Sequence, residues 1–229
     1  MEFFEQSAFF GVMLSLAGYG LGILIQKRCK IAVLNPMLIS IALCIAVLVT
    51  AHVSYETYYE GAKYLSYLLT PATVCLAVPL YEKLALLRKN WAAILAGIFS
   101  GVLTSLSSVL ALCLLFHLTH EEYVTLLPKS ITTAIGIGVC ETLGGHVTLT
   151  VAVIIVTGMI GNITAPAACR LFRLTDPIAR GVAIGSAAHA FGTAKALEMG
   201  EVEGAMSSLS IVVSGLLTVV CVSVFAQFL

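Results

Sequence analysis

Long windows without a charged residue are the feature that most constrains how this chain can fold. Six such windows occur, at residues 6–26, 31–55, 64–81, 90–120, 142–169 and 204–229. A helix needs ~20 mostly apolar residues to cross a hydrocarbon core ~30 Å thick, and the windows reach or approach that length. Only 10% of the 229 residues are charged, whereas soluble domains average ~25%. The pattern therefore predicts an integral membrane protein.

The windows are continuously apolar, as the run at 41–49 illustrates. Strands of a membrane β-barrel would instead alternate apolar and polar residues over segments of ~10 residues. Disorder is excluded as well, because it requires low hydrophobicity and high net charge. We therefore predict an all-α fold, a polytopic helical membrane protein.

The charged loops between the windows predict an orientation. Short cytoplasmic loops are enriched in Lys and Arg. Basic loops lie at 27–30, 83–89 and 170–180, and acidic turns at 52–61, 117–122 and 200–203. Their alternation, with Glu2 and Glu5 ahead of the first window, predicts a retained first span. The amino terminus is then outside and the carboxyl terminus is cytoplasmic.

The same alternation places residues 117–122 outside and the basic loop 170–180 inside. Because window 142–169 is a single crossing, segment 123–145 must enter the membrane and return to the outer side. The prediction is about seven spans plus one re-entrant segment. The alternative is that this segment spans and the rule fails there.

Missing motifs exclude several function classes. The seven cysteines form no C-x-x-C pair and the five histidines form no H-E-x-x-H, so no metal site or disulfide framework is predicted. A P-loop is absent, and the net charge of zero gives no support for nucleic-acid binding. With no acid–base pair or nucleophile motif, we expect neither an enzyme nor a cofactor.

Helix-breaking and polar residues interrupt the apolar windows at three places, where a membrane protein needs internal partners for its backbone. The first is the run Pro71–Pro79, in which Pro71, Thr73 and Pro79 are candidate path-lining residues. Proline frees carbonyl groups near the middle of the span, although a simple kink explains the pattern equally well. The second is the run Pro128–Gly138, where a helix start and Lys129 favour an anion. Alternatively, Lys129 extends to the membrane interface.

The third place is the segment Asp176–Glu198, which is rich in small residues and also contains Arg180. His189 and Thr193 are four residues apart and share a helical face, and ionisable residues inside spans are usually functional. A structural, hydrogen-bonded histidine is the alternative. Further along, Ser207 and Ser208 fit either a packing surface or the wall of a site. Interrupted segments in both halves are typical of transporters with inverted repeats, but the halves share no convincing similarity in sequence.

Motifs at these places carry a resemblance to a known family. They occur in one order along nearly the whole chain, at Asn35–Leu38, Pro71–Tyr81, Pro128–Thr133, Ala179–Gly181, His189–Ala194 and Glu203–Leu209. As a set they resemble the LrgB/CidB membrane protein family, which implies a single LrgB-like transmembrane domain over residues 1–229. Ala134 departs from the pattern, which usually has a second proline after the two threonines. The exact position of the second break is therefore open.

The resemblance implies two functions. One is a secondary transporter of small monocarboxylates such as pyruvate, glycolate or glycerate. The alternative is an antiholin-like regulator of murein hydrolase export and cell lysis that acts with a small LrgA/CidA-type membrane protein. We expect contact with membrane lipid and an oligomer in either case. Buried ionisable residues and paired helix breaks favour the carrier, since a holin-like pore former needs neither.

A carrier of this kind predicts specific substrate contacts. The substrate carboxylate would meet helix-end N–H groups and the polar side chains of Lys129, Ser130, Thr132 and Thr133. His189 and Thr193 would form the opposite wall. Proton coupling through His189 is an additional hypothesis, since the ordinary pKa of histidine is ~6.5.

Overall fold

A computed structural model describes residues 9–29, 35–75 and 77–229, without the side chains of 69, 70 and 73. The described residues are largely helical and contain no strand, which confirms the predicted helical class. Four helices are long and apolar enough to cross a membrane: Phe10–Cys29, Leu84–Leu115, Val147–Leu171 and Glu201–Phe228. The count of seven spans is not confirmed, and Glu2 and Glu5 lie outside the described residues.

The chain divides into two compact units, Met1–Cys75 and Leu76–Leu229. The first contains α1 (Phe10–Cys29), α2 (Pro36–Thr50), α3 (Tyr55–Ser66) and α4 (Leu69–Cys75). The second contains α5 (Ala77–Glu82), α6 (Leu84–Leu115), α7 (His120–Leu126), α8 (Thr133–Leu143), α9 (Val147–Leu171), α10 (Pro177–Met199), α11 (Glu201–Phe225) and a 3-10 turn at Ala226–Phe228. Whether both units act as one domain stays a prediction.

Close packing of α1 holds the first unit together. A Cβ atom added at Gly11 would lie 2.2 Å from the Tyr58 carbonyl oxygen, and one at Gly22 would lie 2.6 Å from that of Pro36. Only glycine therefore fits where α1 meets α3 and α2. The predicted acidic turn at 52–61 is mostly helical, because Ser54 accepts a hydrogen bond from the Thr57 N–H at 3.2 Å and caps α3.

The predicted span 64–81 is not one helix. The end of α3, the whole of α4 and most of α5 share this window. Pro71 is the third residue of α4, and Pro79 is the third residue of α5. Proline is tolerated in a first turn, where its missing N–H would have no helical partner. The Thr73 side chain lies outside the described part of the chain.

A helical hairpin, α7 and α8, follows the long helix α6. The His146 N–H donates to Thr125 Oγ1 at 2.8 Å, and a Cβ at Gly136 would lie 3.7 Å from that of Pro128. The chain therefore runs inward along α7, turns at 127–132 and returns along α8. With 7 and 11 residues, these helices are about 10 and 16 Å long, too short to span. This geometry fits the predicted re-entrant segment.

A second helical hairpin is formed within α10, which is interrupted at Ala188 and His189. In its first half, a Cβ at Gly181 would lie 2.5 Å from the Glu203 carbonyl oxygen, and one at Gly185 2.4 Å from that of Ser207. In its second half, Thr193 Oγ1 lies 2.7 Å from Ser207 Oγ. The first half therefore runs parallel to α11 and the second half returns antiparallel to it.

We call this reversal of α10 at Ala188 and His189 its fold-back. Because of it, the turn 200–203 does not lie on the opposite side from the basic loops, as the charge pattern had predicted. Lys83 donates to Glu201 at 2.9 Å, which raises the pKa of Lys83, and Arg180 lies 3.6 Å from Glu203. The acidic turn and two basic loops thus share one end of the second unit. The difference arises because α10 turns back to the end at which it started, whereas the charge pattern predicted that this segment crosses the membrane.

The other end of this unit holds the carboxyl terminus. His120 Nδ1 lies 2.6 Å from the Leu229 oxygen, and the Tyr123 hydroxyl donates to the Phe225 carbonyl at 2.8 Å. A capping box fixes the start of α7 there, and the N–H and hydroxyl of Thr119 lower the pKa of Glu122. Within the second unit, the carboxyl terminus therefore lies at the opposite end from the basic loops 83–89 and 170–180, in contrast to the predicted arrangement.

Cysteine labelling tests this topology. We expect Thr175→Cys and Glu201→Cys to react with an impermeant maleimide from one membrane face and Gln227→Cys from the other. All three positions are exposed, and the seven native cysteines would first be replaced. Labelling of Thr175→Cys and Gln227→Cys from the same face would contradict the fold-back of α10.

Candidate functional site

A cleft of about 750 Å³ lies between α6, the link between α7 and α8, and the first half of α10. The α7–α8 hairpin contributes residues of its turn, and α10 contributes residues from its start up to Ala187. Its polar lining residues come from all three segments: Asn90, Ser100, Thr104, Ser105, Lys129, Ser130, Asp176 and Ser186. A concave site with a few convergent polar groups is the usual form of a small-molecule site.

Small residues on α6 allow the two hairpins to approach it. A Cβ at Gly97 would lie 3.1 Å from Val182 Cγ1, and one at Gly101 would lie 3.1 Å from Ser186 Oγ. One turn further along, Ser105 Oγ lies 3.1 Å from Ser130 Oγ. The turns of the two hairpins thus reach α6 about 6 Å apart along its axis.

Lys129 is the cation of this cleft. Its ammonium group donates to Ser130 Oγ at 2.9 Å, and it forms no ion pair with a carboxylate among the described residues. Asp176 lies at the far end of the cleft, where its carboxylate accepts from the Ala179 N–H and caps α10. A cation without a carboxylate partner at membrane depth is suited to an anionic ligand.

The break in α10 is strained and closely held. His189 has φ 41° and ψ −135°, a region that L residues avoid at a cost of ~1–3 kcal/mol. Its Nε2 lies 3.1 Å from the Ile154 carbonyl oxygen, and Asn162 Nδ2 donates to the Phe191 carbonyl at 2.7 Å. A Cβ at Gly158 would lie 2.7 Å from His189 Cε1, so this glycine makes room for the imidazole. Contacts with α9 therefore fix the turn.

The hydroxyl groups beyond the break pack between α10 and α11. Thr193 Oγ1 donates to the His189 carbonyl at 3.0 Å and lies 2.7 Å from Ser207 Oγ. Ser208 donates to the Gly204 carbonyl within its own helix at 2.9 Å. All of these side chains are buried. Their contacts stabilise the fold-back of α10.

The structure brings together two of the six predicted substrate-binding residues, because Lys129 and Ser130 line the cleft. Thr132 and Thr133 instead form the start of α8, which begins five residues after Pro128. The interpretation of Pro128 as the helix start is therefore wrong. The binding roles of these threonines stay predictions.

The other predicted residues are not among those that line the cleft. His189 and Thr193 face α9 and α11, while Arg180 donates to the Leu174 carbonyl at 2.7 Å and pairs with Glu203. Pro71 belongs to the first unit and Pro79 to the start of the second. Their roles in a substrate path remain untested predictions.

Sequence reasoning missed the contribution of α6. Gly97, Gly101 and Ser105 follow one another at intervals of four residues, which places them on one face of the helix. Small residues at this spacing indicate close helix packing in membranes. This signal was available, but it does not distinguish a packing face from a site wall.

The fold and the cleft define a helical membrane protein with two helical hairpins beside a cleft that is partly lined by polar side chains. The LrgB-like family model matches residues 15–228, and the chain belongs to that family. It is similar to the antiholin-like protein LrgB of Bacillus subtilis (strain 168), with 34% identity over 224 residues and 97% of each chain covered. The antiholin-like protein LrgB of Bacillus cereus (strain B4264) is 35% identical over 222 residues, covering 96% of each chain. No solved structure matches the chain.

Proposed function

We propose that this chain is a secondary transporter of small monocarboxylates, of the size of pyruvate, glycolate or glycerate, in the bacterial inner membrane. The observation that carries the proposal is the Lys129 ammonium group at the turn of one hairpin, without a carboxylate partner among the described residues, in a cleft that the other hairpin also lines. Discontinuous helices that meet near the bilayer midplane are typical binding elements of such carriers. The proposal involves no chemical step.

The two hairpins enter from opposite ends of the second unit. The α7–α8 hairpin starts at the end that holds Leu229, and α10 starts at the end that holds Lys83. The cleft runs along α6 from Asn90 to Ser105, about 22 Å, so it opens toward the end with Lys83. Beyond Ser105 the buried residues Leu106, Val109 and Tyr123 fill the space.

This arrangement supports an alternating-access mechanism. Substrate enters from the end with Lys83 and meets Lys129 at the turn of the α7–α8 hairpin. Release on the other side requires this turn to move relative to α6, and therefore requires the contact between Ser130 and Ser105 to break. If the basic loops are cytoplasmic, the cleft is open to the cytoplasm and the carboxyl terminus is outside.

A second candidate function is antiholin-like regulation of murein hydrolase export and lysis. The names of the relatives favour it over a specific carrier. On this alternative the chain acts with a small LrgA/CidA-type membrane protein, and we propose that pairing, as well as self-association, for either function.

Flux and lysis measured in the same cells separate the two functions. A strain that lacks the native transport activity would express the wild-type chain or Lys129→Gln, and both the uptake of labelled pyruvate and glycolate and the rate of autolysis would be followed. We expect uptake to depend on Lys129 while autolysis is unchanged. Altered autolysis without any change in uptake would support the regulator and contradict the carrier.

A further inference from the structure

The hydrogen bonds around Lys129 have a direction. An ammonium group only donates, so Ser130 Oγ must accept from Lys129 at 2.9 Å. Ser130 is 7% exposed, and a buried hydroxyl without an acceptor is costly. Its one available acceptor among the described residues is Ser105 Oγ, at 3.1 Å. The chain of donation therefore runs from Lys129 through Ser130 to Ser105.

This direction leaves the Ser105 hydroxyl proton available. Among the described residues, Ser105 Oγ has no hydrogen-bond partner other than Ser130. Two other hydroxyls on the same helix are used within it, since Ser100 donates to the Gly97 carbonyl at 2.9 Å and Ser108 to the Ser105 carbonyl at 2.8 Å. Thr104, the neighbour of Ser105 in the cleft, also has no acceptor among the described residues, but it has no hydrogen bond to the turn that holds Lys129. Ser105 also lines the cleft, so a ligand bound there can accept a hydrogen bond from its hydroxyl group.

Several donors therefore converge at this end of the cleft. The Lys129 ammonium group has three N–H bonds, of which one is used by Ser130. With the Ser105 hydroxyl, three donors are left without an acceptor among the described residues. Such a set matches the two oxygens of a carboxylate, because each carboxylate oxygen accepts more than one hydrogen bond.

We infer that Ser105 binds the substrate carboxylate together with Lys129, as a contact residue supplied by α6. The inference rests on the proposed function and adds a residue from outside the two hairpins. It also explains how binding is coupled to movement, since the same hydroxyl accepts from Ser130 and donates to the ligand. When the turn of the α7–α8 hairpin moves away from α6, Lys129 and Ser105 separate, so the anion loses one of its two partners and is released more easily.

The test is pyruvate binding to the purified full chain in detergent, followed by isothermal titration and by ligand-induced thermal stabilisation. We expect Ser105→Ala to weaken binding at least about tenfold, because a hydrogen bond to a charged group is lost. Ser105→Thr keeps the hydroxyl and should bind within about threefold of wild type. Ser108→Ala is the matched control, since Ser108 is on the same helix and does not line the cleft, and it should bind like wild type.

The outcomes separate this inference from the proposed function. Wild-type affinity in a folded Ser105→Ala variant, or equal loss in Ser105→Ala and Ser105→Thr, would overturn the role of Ser105 and leave the carrier standing. Binding of inorganic phosphate but of none of pyruvate, glycolate and glycerate, with the same dependence on Ser105, would support the anion site and overturn the proposed substrate class. No binding of any of these four anions to wild type would overturn both.

Discussion

Replacing Lys129 by glutamine is expected to weaken pyruvate binding by roughly 100-fold, or ~2.7 kcal/mol. Glutamine keeps a polar group of similar length but removes the charge. An anion at the inner end of the cleft then loses its counter-charge, and placing it there without one is costly. Isothermal titration of the purified chain measures the change directly.

Lys195→Gln is the matched control for this prediction. Lys195 already pairs with Glu198 at 2.7 Å, and its side chain is not among the residues that line the cleft. We expect this variant to bind pyruvate like wild type. Equal affinity in the Lys129 and Lys195 variants would mean that Lys129 is not the binding cation.

Gly185→Ala is expected to lower the free energy of unfolding by about 1–3 kcal/mol. The new Cβ would lie 2.4 Å from the Ser207 carbonyl oxygen and 2.8 Å from Ser207 Cα. These are backbone atoms, so the clash is relieved only by moving α10 away from α11. The fold-back of α10 depends on this contact, and thermal unfolding in detergent should show a lower midpoint.

Gly138→Ala tests whether this loss is specific. Gly138 lies inside α8 with nothing within 4 Å of the added Cβ. Alanine there is expected to be neutral or to stabilise the protein by up to ~1 kcal/mol, because it favours a helix more than glycine does. A drop in the unfolding midpoint as large as that of Gly185→Ala would show that the close contact with Ser207 is not the cause.

Much of the helical framework could be predicted from the positions of the charges. Uncharged windows mark α6, α9 and α11, because a long apolar run has few alternatives to a membrane helix. The turn at 123–145 also followed from counting crossings. Pro128 marks it directly, since proline after α7 stops that helix.

The fold-back of α10 could not be predicted in the same way. Its uncharged run, 181–194, is too short to span alone, but the basic and acidic loops on either side predicted a crossing. The residue at the turn is also His189 rather than glycine. A positive φ at histidine is imposed by contacts with Ile154 and Gly158, which are distant in sequence. The side predicted for the acidic turn 200–203 was wrong for a second reason, because Asp and Glu contribute little to the positive-inside rule.

Only part of the candidate site could be predicted, because the sequence shows which polar residues are unusual in an apolar span but not which of them meet in the fold. Lys129 and Ser130 stand out as polar residues at a helix break, and both line the cleft. His189 stands out for the same chemical reason, yet it faces α9 and holds the turn of α10. Ser105 looks like any small residue of a span, and its importance depends on the direction of hydrogen bonds that only the folded chain brings together.

Uptake into proteoliposomes tests the central claim most directly. The purified chain would be reconstituted alone and together with an LrgA/CidA-type protein, and the entry of labelled pyruvate, glycolate and glycerate would be measured against concentration. The account predicts saturable uptake of at least one of these acids that is lost in Lys129→Gln and retained in Lys195→Gln. Absence of saturable uptake in both reconstitutions, or uptake that is unchanged in Lys129→Gln, would contradict it.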